Sequence, residues 1–496
     1  MSSGAAAKGA IAGGHQVTVD AAAQILADGG NAFDAVIAAL WAACVAEPVL
    51  ASPGGGGFLM AWTGGQAELI DFFVQSPRTK RSANDVEFSE VHADFGTATQ
   101  AFHIGNGASA TPGFVPGLFA AHGRYGSLPM TRLVEPAIEA ARTGVVVTPF
   151  QGYLFEVVAP ILTWTEAARA LFSSSGTLLA DGGTLKNPDL ANVIELLAKD
   201  GVQQATEGDV AKAMLAGQQH SGYLRRQDLA EYRVEVRQPI IKPFAGSNIY
   251  LNPLPALGGG LIAAMLAGVG ASAKADPIAV ARATDIVDRA WRAAPDRVGQ
   301  LAGLSTTEPA GPSAPRGTTH VSVIDAKGNA AAATVSNGEG NGRLVPGSGF
   351  MVNNMLGEED VNPTGFHNWP TNQRLGSMMA PTICAGPNDR LLALGSGGSN
   401  RIRTAILQVL VNRLIADRPI NEAVLAPRQH VEKGRLDFED FYADADRAAL
   451  LAAFDDHRVW PERNLYFGGV HAVERDSDGQ FLGLGDIRRE GVFATV

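Results

Sequence analysis

The stretch that decides the fold is Arg316–Asp325, R-G-T-T-H-V-S-V-I-D, where two threonines open an apolar, β-branched run. Behind it, residues 293–317 are rich in Pro, Gly, Ser and Thr and have the composition of a linker. The run itself predicts a buried strand over His320–Asp325. A turn at Lys327-Gly328-Asn329 would return it as a second strand, Ala330–Ser336. If the peptide bond between Gly317 and Thr318 is cut, Thr318 carries a hydroxyl nucleophile and a free α-amine on one residue. That amine titrates near neutrality and needs little tuning to act as a base. Gly317, with no Cβ, tolerates the geometry of an N-to-O acyl shift. The competing interpretation is an ordinary strand with threonines on a solvent face, and the hexapeptide T-T-H-V-S-V taken alone favours that ordinary strand.

Other segments bear on the choice. Ser336 falls on the second strand of the hairpin, where its hydroxyl could lie beside the Thr318 amine and orient it. Leu394–Asn400, L-G-S-G-G-S-N, runs from an apolar strand into a helix, so the N–H groups of Gly397 and Gly398 are candidate oxyanion donors. No Gly-Lys-Ser/Thr follows this run or Gly54–Gly57, and the G-x-G-x-x-G spacing is absent, which argues against a nucleotide site. The loop lacks G-x-S-x-G context, which disfavours a serine-hydrolase elbow. The ten histidines are scattered without His-x-x-x-His or Cys-x-x-Cys pairs, so no metal or other cofactor is expected; His320 and His430 are read as structural hydrogen-bonders.

With 496 residues, 46% of them hydrophobic, the chain can bury a large core. A formal net charge of −11, with only 39 Lys plus Arg spread thinly, offers no basic stripe for nucleic acid or anionic lipid. Cys44 and Cys384 sit in apolar surroundings and suit buried thiols better than a disulfide framework. The N-terminus lacks an apolar stretch of secretory-signal length, and the run Ala35–Ala46 is too short to span a bilayer, so a soluble, cytoplasmic protein is expected. Along the chain, Asp20–Glu47 predicts two helices broken at Gly29-Gly30-Asn31, the second buried nearly all round. Phe58–Trp62 and Ala67–Phe73 predict a strand pair. Residues 115–145 and 187–290 are expected to be mostly helical. Further strands are expected at Phe350–Asn353, Leu391–Leu394, Gly469–Glu474 and Phe481–Gly485, with a helix from about Arg403 to Ala416.

These stretches, together with D-G-G-N-A-F-D-A-V-I-A-A, S-P-G-G-G-G-F-L-M, T-P-G-F-V-P-G, V-P-G-S-G-F-M-V-N-N and R-L-G-S-M-M-A-P-T-I, resemble the γ-glutamyltransferases of the N-terminal nucleophile hydrolases over nearly the whole chain. The resemblance implies an α/β fold of four layers, αββα, and a proenzyme cut before Thr318. It implies a large subunit of residues 1–317, a small subunit of 318–496, and one composite domain, with room for a higher oligomer. By motif, Thr318 is the nucleophile, Ser336 its supporting hydroxyl, and Gly397 with Gly398 the oxyanion donors. Ser377 stands in the family's substrate-binding Ser-Ser pair, whose first member is here Gly376. Asn337, Glu358 and Glu359 are counted with the substrate-binding set.

Two departures bear on specificity. The family's D-F-R-E-x-A-P segment, whose arginine holds a substrate α-carboxylate, is here D-F-F-V-Q-S-P, with Phe73 at the arginine's position; Arg78 or Arg343 would have to replace it. The acidic pair after N-N is also altered, leaving Glu358 or Glu359 to hold a substrate α-amine. The expected activity is transfer of a small acyl group, γ-glutamyl by default, from an amide to water or an amine. A non-glutamyl substrate, an oxalyl-type amide or a carbon–carbon bond beside a carbonyl, is the alternative that Phe73 favours. An uncleaved binding protein is the alternative of another class, against which the retained Thr318, Ser336, Gly397 and Gly398 argue.

Overall fold

The computed structural model describes residues 7–94, 99–270, 275–294, 313–314, 317–358 and 365–496. Most of the expected linker and Glu359 lie outside the described residues. The Thr318–Asp325 strand forms the expected hairpin with Ala330–Ser336, in register from Thr318 opposite Ser336 to Ile324 opposite Ala330. Its turn is made by Gly328 at φ 79°, with the Asp325 carboxylate accepting from the N–H groups of Lys327 and Asn329. Antiparallel neighbours extend the hairpin on both sides, through Gly56–Thr63 and Gln66–Phe72 to Glu235–Arg237 and through Gly9–Gly13 to Val492–Thr495, into a seven-stranded sheet.

Strand alternation then assigns each side chain to a layer. Val321, Val323, Ala331, Ala333 and Val335 face the helices Gln16–Ala27 and Ala32–Ala46. Ile324, Ala330 and Ala332 face the opposite way, into a core shared with a second sheet. That six-stranded sheet runs Ile240–Phe244, Ser247–Leu251, Thr382–Ala385, Leu391–Gly397, Gly469–Arg475, Phe481–Leu484, and the helices Leu257–Val269 and Ile402–Leu414 pack against it. The result is the αββα order. All fifteen residues of Ala32–Ala46 are buried, as its uninterrupted apolar composition requires, and Asn31 and Asp34 close its N-terminus with a capping box.

The structure corrects two of the sequence expectations. The 187–290 region carries three strands among its helices, Glu235–Arg237, Ile240–Phe244 and Ser247–Leu251, and these take the chain from the edge of the first sheet to the edge of the second. Residues 350–353 make only isolated bridges, Met351 with Leu344 and Val352 with Gly54. There the Asn353 amide donates to the carbonyls of Gly54 and Ala110, side-chain bonding where a strand would use its backbone ladder. The two cysteines are free and buried in separate clusters, Cys44 between helices and sheet and Cys384 in the inter-sheet core. Among the described residues no helix is long and apolar enough to cross a membrane.

Candidate active site

Thr318 is the first residue of its strand, directly opposite Ser336, and both are buried. The Gly317–Thr318 bond is therefore presented at the end of the hairpin. The Ser336 hydroxyl donates to the Gly317 carbonyl at 2.5 Å and accepts from the Gly338 N–H at 3.1 Å. It thus polarises the carbonyl of the bond in question, while Gly338 fixes its orientation. No side chain would fit at position 317, because a Cβ there would collide with the Gly338 carbonyl. The same crowding occurs at Gly397, whose added Cβ would meet the Thr318 carbonyl, so the last residue of the Leu391–Gly397 strand crosses close against Thr318. Gly398 follows at φ 117°, a conformation that L side chains rarely adopt, and redirects the chain into the turn before the Ile402–Leu414 helix.

The other sequence-predicted residues fall into two groups. Glu358 lies beside the centre: it is buried, and its Oε1 and the Asn354 Oδ1 close over Gly338, at φ 64°. Ser377 is buried in a short strand that pairs in parallel with residues 313–314, just before the Gly317–Thr318 bond. Its hydroxyl accepts from the Met379 N–H at 3.1 Å. Asn337 is buried under the loop, with its amide nitrogen against Gly340.

Phe73 is elsewhere. Its ring is fully buried in the inter-sheet core, stacked on Phe58 with centroids 5.4 Å apart. A cation does sit near its backbone: Arg374 donates to the Phe73 carbonyl, to Tyr232 Oη at 2.5 Å and to the Arg233 carbonyl at 2.6 Å, and pairs with Asp71 at 3.2 Å. That guanidinium is spent on the protein itself. Arg343 is likewise committed, forked onto Glu87 at 2.5 and 2.6 Å, and Arg78 pairs with Glu231 at 3.0 Å.

Several residues close to the centre were not found from the sequence. Glu47, at the end of the buried apolar helix, accepts from Thr319 Oγ1 at 2.7 Å and Thr18 Oγ1 at 2.8 Å. Burial pushes its carboxyl above the usual range, against the pull of those two hydroxyls and of Arg489. His320 is a structural hydrogen-bonder as expected, bridging Thr334 and Ser322 at 2.8 Å each, and burial holds its imidazole neutral, well below the usual histidine value. His430 bonds Thr404 at 2.9 Å. Finally, a cavity of about 270 Å³ opens beside Gly317 and Gly398; Arg401 and Arg489 form one wall, and Leu50 and Val157 contribute to another. Arg401 comes from the helix entry, Arg435 and Arg458 from strands, and Arg489 from the last turns of the chain, all far from Thr318 in sequence.

The chain is similar to known proteins over nearly its whole length. The model of the family described as "Gamma-glutamyltranspeptidase" matches residues 18–294 and 275–496. The Acylase ACY 1 proenzyme of Pseudomonas sp. (strain V22) is 31% identical, over 98% of this chain and 93% of its own length. The glutathione hydrolase proenzyme of Pseudomonas aeruginosa is 30% identical, over 85% of this chain and 82% of its own. Among solved structures, the cephalosporin acylase of Bacillus halodurans superposes with a TM-score of 0.84 at 23% identity, covering 98% of this chain and 96% of its own, a likeness of fold.

Proposed function

The chain belongs to the gamma-glutamyltranspeptidase family of hydrolases and acylases, and on that premise we propose that it is cut between Gly317 and Thr318 and works through an acyl-enzyme on the Thr318 hydroxyl. The observation that carries the reading is the Ser336 hydroxyl bonded to the Gly317 carbonyl across the Thr318–Ser336 pair. In processing, Thr318 Oγ1 attacks the Gly317 carbonyl carbon, and the negative charge that develops on the carbonyl oxygen is met by the hydrogen bond already in place. The hydroxyl proton passes to the Thr318 nitrogen as the C–N bond breaks and the acyl group moves to oxygen, and water then cleaves the resulting ester. This leaves a carboxylate on Gly317 and a free amine on Thr318, in subunits of residues 1–317 and 318–496.

In turnover that amine takes the proton of the Thr318 hydroxyl as the hydroxyl attacks an amide donor, and returns it to the departing amine. Gly397 and Gly398 supply oxyanion donors in this reading; the close crossing of Gly397 over Thr318 and the turn of the chain at Gly398 support it. Glu358, beside Gly338, is the group that would face a donor's ammonium. Water or a second amine then takes the acyl group from Thr318.

A second reading keeps the machinery and changes the donor. It is favoured by Phe73, whose ring is sealed in the core, so no cation stands there for a γ-glutamyl α-carboxylate. The loss of such a charge-assisted contact would cost about 1.5–3 kcal/mol of donor binding. The names of the relatives divide between glutathione hydrolase and acylase in the same way. The test of the shared chemistry is Thr318→Ala, which is expected to remain one full-length chain and to release no product from any donor. A Thr318→Ala protein that still splits at this bond removes Thr318 from the mechanism. Release of a γ-glutamyl chromophore by wild type, compared with a simple aliphatic amide chromophore, separates the two donor readings.

A further inference from the structure

The cavity beside Gly317 and Gly398 has a property that its position does not require: it contains a buried cation, Arg489, with no hydrogen-bond or ion-pair partner among the described residues, its guanidinium lying 5.9 Å from the centre of the Phe150 ring. Arg489 is 7% exposed, and none of the described residues accepts a hydrogen bond from its guanidinium; its Nε is buried without an acceptor. Its two terminal nitrogens straddle the diglycine, Nη1 at 3.1 Å from where a Cβ on Gly397 would stand and Nη2 at 3.3 Å from the same point on Gly398. A second guanidinium, Arg401, lines the same cavity; its Nε donates to the Tyr466 carbonyl at 3.0 Å and its plane lies over the Tyr466 ring.

The placement of Arg489 is built. The turn that carries it is held by Asp486, which accepts from Arg428 at 2.5 Å and from the Val470 N–H at 3.0 Å. Arg488, the neighbouring residue, is forked onto Glu439 at 2.5 and 2.7 Å. Every other buried charge in this turn is thus paired, and Arg489 is left over. Of the acidic groups that act on it, Asp486 is held by Arg428 and Arg488, and Glu47 by Thr18 and Thr319; the buried Glu339 lines the same cavity near Gly317. Burial and the neighbouring Arg401 push the Arg489 guanidinium down to about 10, still protonated at neutral pH. An unpaired buried cation is costly, and an anion that enters the cavity recovers that cost. Asp437 also lines the cavity, but it already accepts from Trp460 Nε1 at 2.9 Å and Tyr466 Oη at 3.2 Å.

We propose that Arg489, with Arg401, is the carboxylate-reading subsite of this enzyme, binding a carboxylate of the acyl donor from the diglycine side in place of a cation at position 73. The side is chosen by the precursor itself. In the uncut chain the acyl group awaiting transfer to Thr318 is that of Gly317, and Gly317 opens onto this cavity. The assignment rests on the Thr318 reading for which part of the donor is held, while the presence of the anion site does not depend on it.

The test is calorimetric binding of glutarate and of its neutral diamide, glutaramide, to wild-type protein and to Thr318→Ala. Glutarate is expected to bind both proteins, with glutaramide at least about tenfold weaker, because a charge-assisted fork is lost. Arg489→Met should weaken glutarate by at least about tenfold and leave glutaramide unchanged, with Arg489→Lys intermediate, since lysine keeps the charge but not the fork. In turnover, Arg489→Met should raise KM for a carboxylate-bearing donor well above any change in KM for its carboxamide counterpart. Equal binding of glutarate and glutaramide by wild type, or no saturable glutarate binding, overturns the proposal without reference to any variant. So does Arg489→Met that binds glutarate as wild type does. Glutarate binding that survives in Thr318→Ala while wild type remains uncut would sink the Thr318 reading and leave the anion site standing.

Discussion

The edge around Thr318 and the wall around Arg489 are adjacent and are built on opposite principles. At the edge, Gly317 and Gly397 bring backbone against backbone, where a Cβ would meet a carbonyl oxygen, and among the described residues the Ser336 hydroxyl is the only side chain hydrogen-bonded to the Gly317 carbonyl. At the wall, long charged side chains are set by a network of buried ion pairs, Arg428 with Asp486 and Arg488 with Glu439. In the proposed reading, the difference separates chemistry from recognition. A reaction fixed by backbone geometry tolerates no substitution, whereas a recognition site fixed by side chains can move from one position to another while the edge stays as it is.

The largest expected effect is on the edge. Gly317→Val should leave the precursor uncut over times in which wild type is fully processed, a loss of more than about 100-fold, because the Cβ collides with a backbone carbonyl that cannot yield as a side chain can. Gel analysis over time checks it, and normal processing would show that the close approach is not needed. Next is a substitution that separates the two regions, Phe73→Arg. Restoring the family's arginine at this position should lower stability by about 3–5 kcal/mol, since it puts an uncompensated charge into the stacked Phe58–Phe73 core. A rise in γ-glutamyl turnover with an unchanged melting temperature would instead return the carboxylate site to position 73.

Ser336→Ala should slow processing by roughly 30- to 100-fold, about 2–3 kcal/mol, by removing the hydrogen bond on the Gly317 carbonyl. The smallest effect should be on the wall, through pH. His471 Nδ1 accepts from the Asp486 N–H, which anchors the Arg489 turn, and burial lowers the imidazole from 6.5 to about 4. The unfolded chain therefore binds the proton more readily between these values. The stability contributed by neutral His471 is full above pH 6.5 and is lost as pH falls toward 4, about 2 kcal/mol by pH 5. Chemical denaturation of wild type and His471→Gln across that range checks it: the wild-type slope should flatten in the variant, and an unaltered slope would assign the acid lability to other histidines.

What was legible in the sequence follows the same division. The Thr318–Ser336 pairing could be read because a Gly-containing turn between two apolar runs fixes register, and side-chain alternation does the rest. The diglycine could be read because a strand running into a helix through glycines is a local pattern. The strands over residues 235–251 were hidden by prolines 239 and 243 and by charged residues on their exposed faces, which broke the apolar signal. Glu47 looked like a helix boundary because nothing local shows that Thr18 and Thr319 converge on it. Arg489 was invisible for a similar reason: an arginine near a chain end is a surface residue until the fold brings that end against Gly397. Phe73 was legible as a departure from a pattern, but its burial in the inter-sheet core was not.

The central claim is that one peptide bond is severed to make Thr318 a terminus. Intact-mass and N-terminal sequencing of purified, active protein tests it most directly. The account predicts two chains, the second beginning Thr-Thr-His-Val, with Thr318→Ala a single chain. Active material containing only the unbroken chain, or a new terminus elsewhere, would contradict it.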